Sequence, residues 1–272
     1  MSQIVTDYDH SKKIGNEGDL VKAAVLARLV TGRLEQEPAT PFVYAESHSG
    51  RAEYILPDNG EWKNGVGKFV SMVTEKLGAD WRNRLLEDQS NLAPFIRANL
   101  TGDIDTGAEY FGSSRMVLEL VKQSGKPFSL HLWDTNQLVC NDLKDAYSGH
   151  ADFSVHHGDG YDGVSRLGRA SFALVDPISV AQEKDRILAL LASLTSAFTP
   201  FLCWTALVGA PDQGFCVDFH REARSRYSVV QVTWKEPHDH TWGCRLIIPE
   251  NLEAVARATA AEVASLMNWG LT

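Results

Sequence analysis

Three carboxylates in this 272-residue chain stand where an apolar run gives way to a polar turn. Asp134 follows Phe128-Ser129-Leu130-His131-Leu132-Trp133, Asp159 follows Phe153 to His157, and Asp176 follows Ser171-Phe172-Ala173-Leu174-Val175. A carboxylate offers two acceptor oxygens, so an acid at the tip of a second strand suits the two hydroxyls of a ribose. Asp134 is placed for that. Asp159-Gly160 suits the edge of an adenine, where one carboxylate accepts from an exocyclic amine. Taken singly, each acid is equally a turn or helix-capping residue; three at successive strand ends favour a nucleoside-type cofactor site. A further apolar run, Phe42-Val43-Tyr44-Ala45, enters the polar turn Glu46-Ser47-His48-Ser49-Gly50, where His48 can donate or accept near neutral pH.

Other chemistry-bearing residues form weaker patterns. His238-Asp239-His240 is a metal-like pair without a third ligand, so no metal site is expected. The four cysteines, Cys140, Cys203, Cys216 and Cys244, contain no C-x-x-C pair and read as reduced thiols. His156-His157 reads as a packed and a solvated histidine. Trp133, Trp204, Trp234 and Trp242 read as strand and hairpin packing. Neither a nucleophile elbow nor a Walker-type glycine loop is present.

The elements that must hold these residues alternate between β and α patterns. Leu20, Val21, Val25, Leu26, Leu29, Val30 and Leu34 recur at helical spacing, with Asp19 in the N-cap position. Residues 61–99 form a charged helical insertion, and a helix from about Arg115 to Lys122 precedes the Asp134 strand. Ile187 to Leu194 is helical, and Pro200 to Leu207 is an apolar strand. Tyr227 to Trp234 and Trp242 to Ile248 read as a hairpin, and an amphipathic helix from about Leu252 to Met267 closes the chain. This order predicts one domain over residues 1–272. Its sheet is mostly parallel, with a late antiparallel pair and one reversed strand near the edge.

The composition, 44% apolar and 22% charged, is that of a globular protein and excludes disorder. Twenty-six basic against 35 acidic residues leave a formal charge of -9, which makes nucleic acid the less favoured partner. The polar stretch Met1 to Asp19 has no signal-peptide core, and no 18 apolar residues run together. A cytoplasmic location without a membrane partner is therefore expected.

Tyr8-x-His10-Ser11, Gly15-Asn16 and Asp19-x-x-Lys22 resemble the N-terminal motif of the bacterial 23S rRNA adenine-N6 methyltransferases, a class I methyltransferase family. Pro41-Phe42-x-Tyr44, Ser47-His48-Ser49-Gly50 and Tyr54 continue the match. Tyr110-x-Gly112-Ser113, Asp159-Gly160-Tyr161 and Val175-Asp176-Pro177 follow in the family's order. The resemblance covers nearly the whole chain and implies S-adenosylmethionine (SAM) as cofactor. It implies that Lys22, His48, Ser113, Asp134, Asp159, Gly160 and Asp176 occupy cofactor or active-site positions. Asp134 matches by carboxylate type only, since the family carries Glu there. It further implies that Tyr8 and His10 belong to a segment that closes over the active site.

The departures redirect the expected function. The family's Asp-Pro-Pro-Tyr is here Asp176-Pro177-Ile178-Ser179, and Ala23 replaces the family's His after the Lys. Losing the aromatic that stacks on a flipped base removes roughly 1–3 kcal/mol of base capture. Arg51, beside the first loop, is either a carboxylate clamp or a solvated surface residue. The expected activity is SAM-dependent chemistry on a small amine-bearing substrate, with Asp176 as the catalytic acceptor. It is either methyl transfer or ring closure of SAM itself to azetidine-2-carboxylate and methylthioadenosine, as azetidine-carboxylate synthases perform. The rivals are divergent rRNA adenine methylation and a non-catalytic cofactor-binding regulator.

Overall fold

A computed structural model describes residues 10–36, 41–208, 216–235 and 241–272. The elements run α1 (Glu17–Gln36), β1 (Phe42–Glu46), β2 (Glu53–Ile55), α2 (Val66–Leu77), α3 (Trp81–Glu87), α4 (Ala93–Asn99) and β3 (Glu109–Phe111). Next come α5 (Ser113–Ser124), β4 (Phe128–Asp134), α6 (Gln137–Ala146), β5 (Phe153–His157), α7 (Gly160–Leu167), β6 (Phe172–Val175) and α8 (Val180–Ser196). The chain ends with β7 (Phe201–Val208), α9 (Val217–Arg224), β8 (Ser228–Lys235), β9 (Thr241–Ile248), α10 (Glu253–Met267) and β10 (Gly270–Leu271).

Eight strands form one sheet in the order β5-β4-β1-β6-β7-β9-β8-β10. The first five are mutually parallel. Strand β9 is antiparallel to both β7 and β8, so a single reversed strand separates two that run the same way. This is the class I methyltransferase arrangement that the β/α alternation predicts. The two-residue strand β10, antiparallel to β8 at the edge, is an addition too short to carry a period-2 signal. The chain builds from β1 outward to β4 and β5, then returns to β6 and β7. The order therefore reverses at β1, and the crevice outside the carboxyl ends of β1, β4 and β6 is where such sheets bind ligands.

Period-2 alternation sorts the strand residues to two faces. Tyr44, Phe172, Leu174, Leu202 and Leu246 join one apolar cluster with residues of α1, α5 and α10. Ala45, Ala173, Val175, Cys203 and Ile247 join another with residues of α7, α8 and α9. The predicted apolar face of α1 is buried along its length, each Leu or Val contributing roughly 1.5–3 kcal/mol. Helices α2, α3 and α4 occupy the predicted insertion and bury Phe69, Trp81 and Phe95 in the first cluster. They are bracketed by a ladder the sequence did not announce, β2 against β3, in which Tyr54 faces Tyr110.

One local expectation is corrected. Helix α1 begins at Glu17, and Asn16 Oδ1 accepts the Asp19 backbone N–H at 2.9 Å. Asn16 is the capping residue, which places Asp19 one turn into the helix and frees its carboxylate for other partners.

Candidate functional site

The loop after β1 stays tied to both neighbouring strands. Ser47 N donates to the Leu174 carbonyl at 3.1 Å and Ser49 N to the Trp133 carbonyl at 3.0 Å. Gly50 then turns the chain at φ 63, a conformation that glycine adopts without a Cβ penalty. Its N–H donates to Asp134 Oδ2 at 3.1 Å, while Asp134 Oδ1 accepts from Asn136 N at 2.7 Å. The β4 carboxylate is thus fixed at the sheet mouth by two backbone donors.

Lys22 reaches the same mouth from α1. Its Nζ lies 2.6 Å from Asp176 Oδ2 and 2.9 Å from Asp19 Oδ1. Asp19 Oδ2 also accepts from Gly15 N at 2.9 Å and pairs with His10 Nε2 at 2.7 Å. Burial alone would raise the Asp19 carboxyl, but the His10 ring and the Lys22 ammonium hold it well below the usual carboxylate range. Burial would lower the Lys22 ammonium, yet Asp176 and Asp19 keep it firmly charged.

Beneath this chain of charges lies Glu46, fully buried at the end of β1. The Ser113 hydroxyl, at the first turn of α5, donates to Glu46 Oε1, and the Tyr44 hydroxyl donates to Oε2 at 3.1 Å. Burial pushes the Glu46 carboxyl up to about 8, against the Ser113 bond and with help from the Asp176 charge. Glu46 is therefore mostly protonated at neutral pH. His48, packed edge-on to Tyr161 at 4.9 Å, has its basicity lowered by burial against the pull of Glu183 and Asp176.

A cleft of about 960 Å³, counting space open to solvent, gathers His10, Lys22, His48, Ser113, Asp134 and Asp176. Ala23 and Ile178, the two departures from the resembled motif, also line it. Asp159 and Gly160 do not. Asp159 caps α7, accepting from Tyr161 N and Asp162 N, and pairs with Arg186. Gly160 packs so closely that a Cβ would lie 1.8 Å from the Ser47 carbonyl oxygen. Arg51 does not line the cleft either: it reaches Asp142 on α6 at 3.0 Å. Tyr8 and His238-Asp239-His240 lie outside the described residues. Among the described residues no group of three or more His, Cys, Asp or Glu could hold a metal, and no helix is long and apolar enough to cross a membrane.

Sequence reasoning missed Glu46, Asp19 and a second cavity. That cavity shares the His10, Asp19, Lys22, Asp176 and Ile178 wall with the first and continues to Trp204, Trp234 and Trp242. A charged residue closing an otherwise buried strand was the available signal for Glu46.

No family model and no curated protein matches the chain. Among solved structures, protein LPL1258 from Legionella pneumophila str. Philadelphia 1 (family DUF519) superposes with a TM-score of 0.70 at 18% identity. The match covers 95% of this chain and 97% of that one. At that identity the likeness is one of fold. Human methyltransferase-like protein 13 in complex with SAH gives a TM-score of 0.42 at 10% identity, with 91% of each chain covered. Magnesium protoporphyrin IX methyltransferase from Synechocystis PCC 6803 with bound SAM gives 0.38 at 6%, over 85% of this chain and 81% of that one. These two superpositions are too loose to argue from, so the comparisons place the chain by architecture alone.

Proposed function

We propose that this chain is an enzyme that binds SAM in the cleft at the carboxyl ends of β1, β4 and β6 and directs its activated carbon onto the nitrogen of a small amine. The observation that carries the reading is the convergence of Asp134, Asp176, Lys22, His48 and Ser113 on one cleft at the sheet's switch point. The donor set fits the cofactor. Asp134 is held with both oxygens at the mouth, able to accept further bonds from a ribose diol. Met116 and Val139 supply apolar lining, and the absence of a side chain at Gly50 keeps that turn close, since a Cβ would sit 2.7 Å from the Tyr54 hydroxyl. Asp159 and Gly160 act on the cofactor only through the α7 cap.

Bound there, the cofactor would supply a carbon activated by a positively charged sulfur. The protein's own part is to hold the nucleophile. Asp176 accepts N–H bonds from an amine and favours the positive charge that develops on its nitrogen. Lys22, 2.6 Å away, holds Asp176 in place and aims it. Glu46, carrying its proton, adds no second negative charge beside Asp176. The overall charge of -9 and Ile178 in place of a stacking aromatic speak against capture of an rRNA adenine.

Titration calorimetry with SAM, followed by mass spectrometry of the products formed with and without added amines, tests the reading. Binding, with turnover to SAH and a methylated amine or to methylthioadenosine and azetidine-2-carboxylate, is expected. No heat of binding, or robust methylation of a helix–loop RNA, would overturn it.

A further inference from the structure

The second cavity encloses about 1370 Å³, again counting space open to solvent, and its floor is aromatic. Register places the three indoles on one sheet face. Trp234 lies directly opposite Trp242, and Trp242 lies opposite Val208, four residues along β7 from Trp204. All three are half-buried. Trp269 packs on Trp234 at 5.0 Å between ring centroids and braces it. Trp204 can seat against α1 because residue 18 is glycine, whose missing Cβ would lie 2.7 Å from the indole. The last paired residues of β6 and β7 are Val175 and Cys203, so Asp176 and Trp204 are the next neighbours along the two strands.

The lining is also acidic. Four carboxylates, those of Glu17, Asp19, Glu61 and Asp176, face two lysines, Lys13 and Lys22. The Trp204 face already holds one cation, Lys22 Nζ at 5.4 Å from the ring centroid. Indole faces and an excess of carboxylate both attract organic cations and neither attracts phosphate.

We infer that this cavity seats an external acceptor, a small organic amine recognised as a cation on Trp204, Trp234 and Trp242. The inference rests on the proposed function and narrows it, since ring closure by the cofactor's own amine would leave a second chamber beyond Asp176 without a purpose. The chemistry agrees with the charge of the lining. The amine arrives as an ammonium and releases one proton to water at the open mouth. Its lone pair then forms the nitrogen–carbon bond while the carbon–sulfur bond breaks and leaves its electron pair on sulfur. Positive charge passes from sulfur to nitrogen, from the first cavity to the second, and the indoles and carboxylates stabilise it where it arrives.

The test uses choline and its uncharged carbon isostere, 3,3-dimethyl-1-butanol, titrated by calorimetry and by saturation-transfer NMR of the probe methyl groups. Choline should bind about tenfold tighter than the isostere. Trp242→Leu should weaken choline about tenfold and Trp242→Phe less, while SAM affinity stays within about twofold. Glu61→Gln, at an exposed position where an amide oxygen can still accept the Asn16 side-chain N–H, should weaken choline about threefold. Equal affinity for the two probes, no choline binding, or unchanged binding in Trp242→Leu would overturn the inference. SAM titrated into the same samples separates the two claims. SAM binding without choline discrimination defeats only the acceptor site. Choline discrimination without SAM binding defeats the cofactor reading on which it rests.

Discussion

Lys22 and Asp176 meet at 2.6 Å although 154 positions separate them in the chain. The pair stands in the wall common to both cavities, so it joins the first helix to the loop after the fourth parallel strand where cofactor and acceptor would face each other. Their side chains are only 12% and 19% exposed, and that of Asp19, the second partner of Lys22, is 6% exposed. The ammonium is shared between two carboxylates of that wall: Asp19, also tied to His10 and the Gly15 N–H, and the more exposed Asp176. The position of the Asp176 carboxylate is thereby set from α1.

Asp176→Asn should slow turnover by about 10²–10⁴-fold, the range of positioned acid–base groups. The amide keeps the shape and an oxygen for Lys22 but removes the charge that favours a developing ammonium. Cofactor affinity should fall less than about tenfold, because Asp134 carries its own contacts. Rates of SAH and methylthioadenosine formation at saturating SAM, with calorimetry alongside, measure both effects. A wild-type rate for either product would make Asp176 a turn residue.

Lys22→Met should destabilise the fold by about 3–5 kcal/mol, because half-buried Asp176 loses its counter-ion and buried Asp19 keeps only the His10 ring and the Gly15 N–H. Adding Asp19→Asn should restore part of the loss. Asp19 also gives the wild type a recognisable acid limb. Its folded carboxyl is held below the unfolded value near 3.8, so its stabilisation is full above that pH and drains away as pH falls. Urea titrations at several pH values should show this limb shrink in Lys22→Met. An unchanged midpoint would mean the ion pair contributes nothing.

The fold was legible because each parallel strand carries its own punctuation: an apolar run, then a polar turn. The expectations that shifted are those that turn on hydrogen bonds and register, which apolar periodicity does not show. Asp19 reads as a cap when only the apolar periodicity is visible, since it directly precedes the first apolar position, Leu20, whereas the capping Asn16 lies a turn earlier. Asp159 has the composition of a ligand-binding acid, but two backbone N–H groups of α7 and Arg186 use its oxygens. Trp204, Trp234 and Trp242 sit on three different strands, and only the β7–β9–β8 register shows that they share a face. Glu46 looked like the first polar residue of a turn. Its buried carboxyl is met by Tyr44, two residues back on the same face of β1, and by Ser113, which no spacing rule links to it.

Gly160→Ala should cost about 3 kcal/mol or more, a magnitude reserved for severe packing conflict. The new methyl would fall 1.8 Å from a backbone carbonyl oxygen, that of Ser47, and backbone cannot swing aside as a side chain can. Relieving the overlap would push α7 away from the loop that carries His48, so SAM affinity should fall together with the melting temperature. A melting temperature within about 2 °C of wild type would show that the junction is looser than this contact implies.

Glu46→Gln should make the protein more stable at pH 8 and change it little at pH 5. The folded carboxyl holds its proton until about 8, whereas the unfolded one releases it near 4.5. Between those values the unfolded chain binds fewer protons than the folded one, so the wild type loses stability as pH rises through this window and levels off above it. The amide carries no charge and can still bond the Ser113 and Tyr44 hydroxyls, so the substitution removes the slope without emptying the site. At pH 8 the gain should be about 2–3 kcal/mol, discounted from the full shift because Lys22 would partly shelter an ionised carboxylate. His48 titrates in the opposite sense: its neutral form is favoured by burial, so it costs stability as pH falls below the ordinary histidine range. Subtracting variant from wild type at each pH cancels that contribution and isolates Glu46. Urea denaturation at pH 5, 6.5 and 8 makes the comparison, and parallel stability curves for the two proteins would show that the Glu46 carboxyl ionises normally inside the fold.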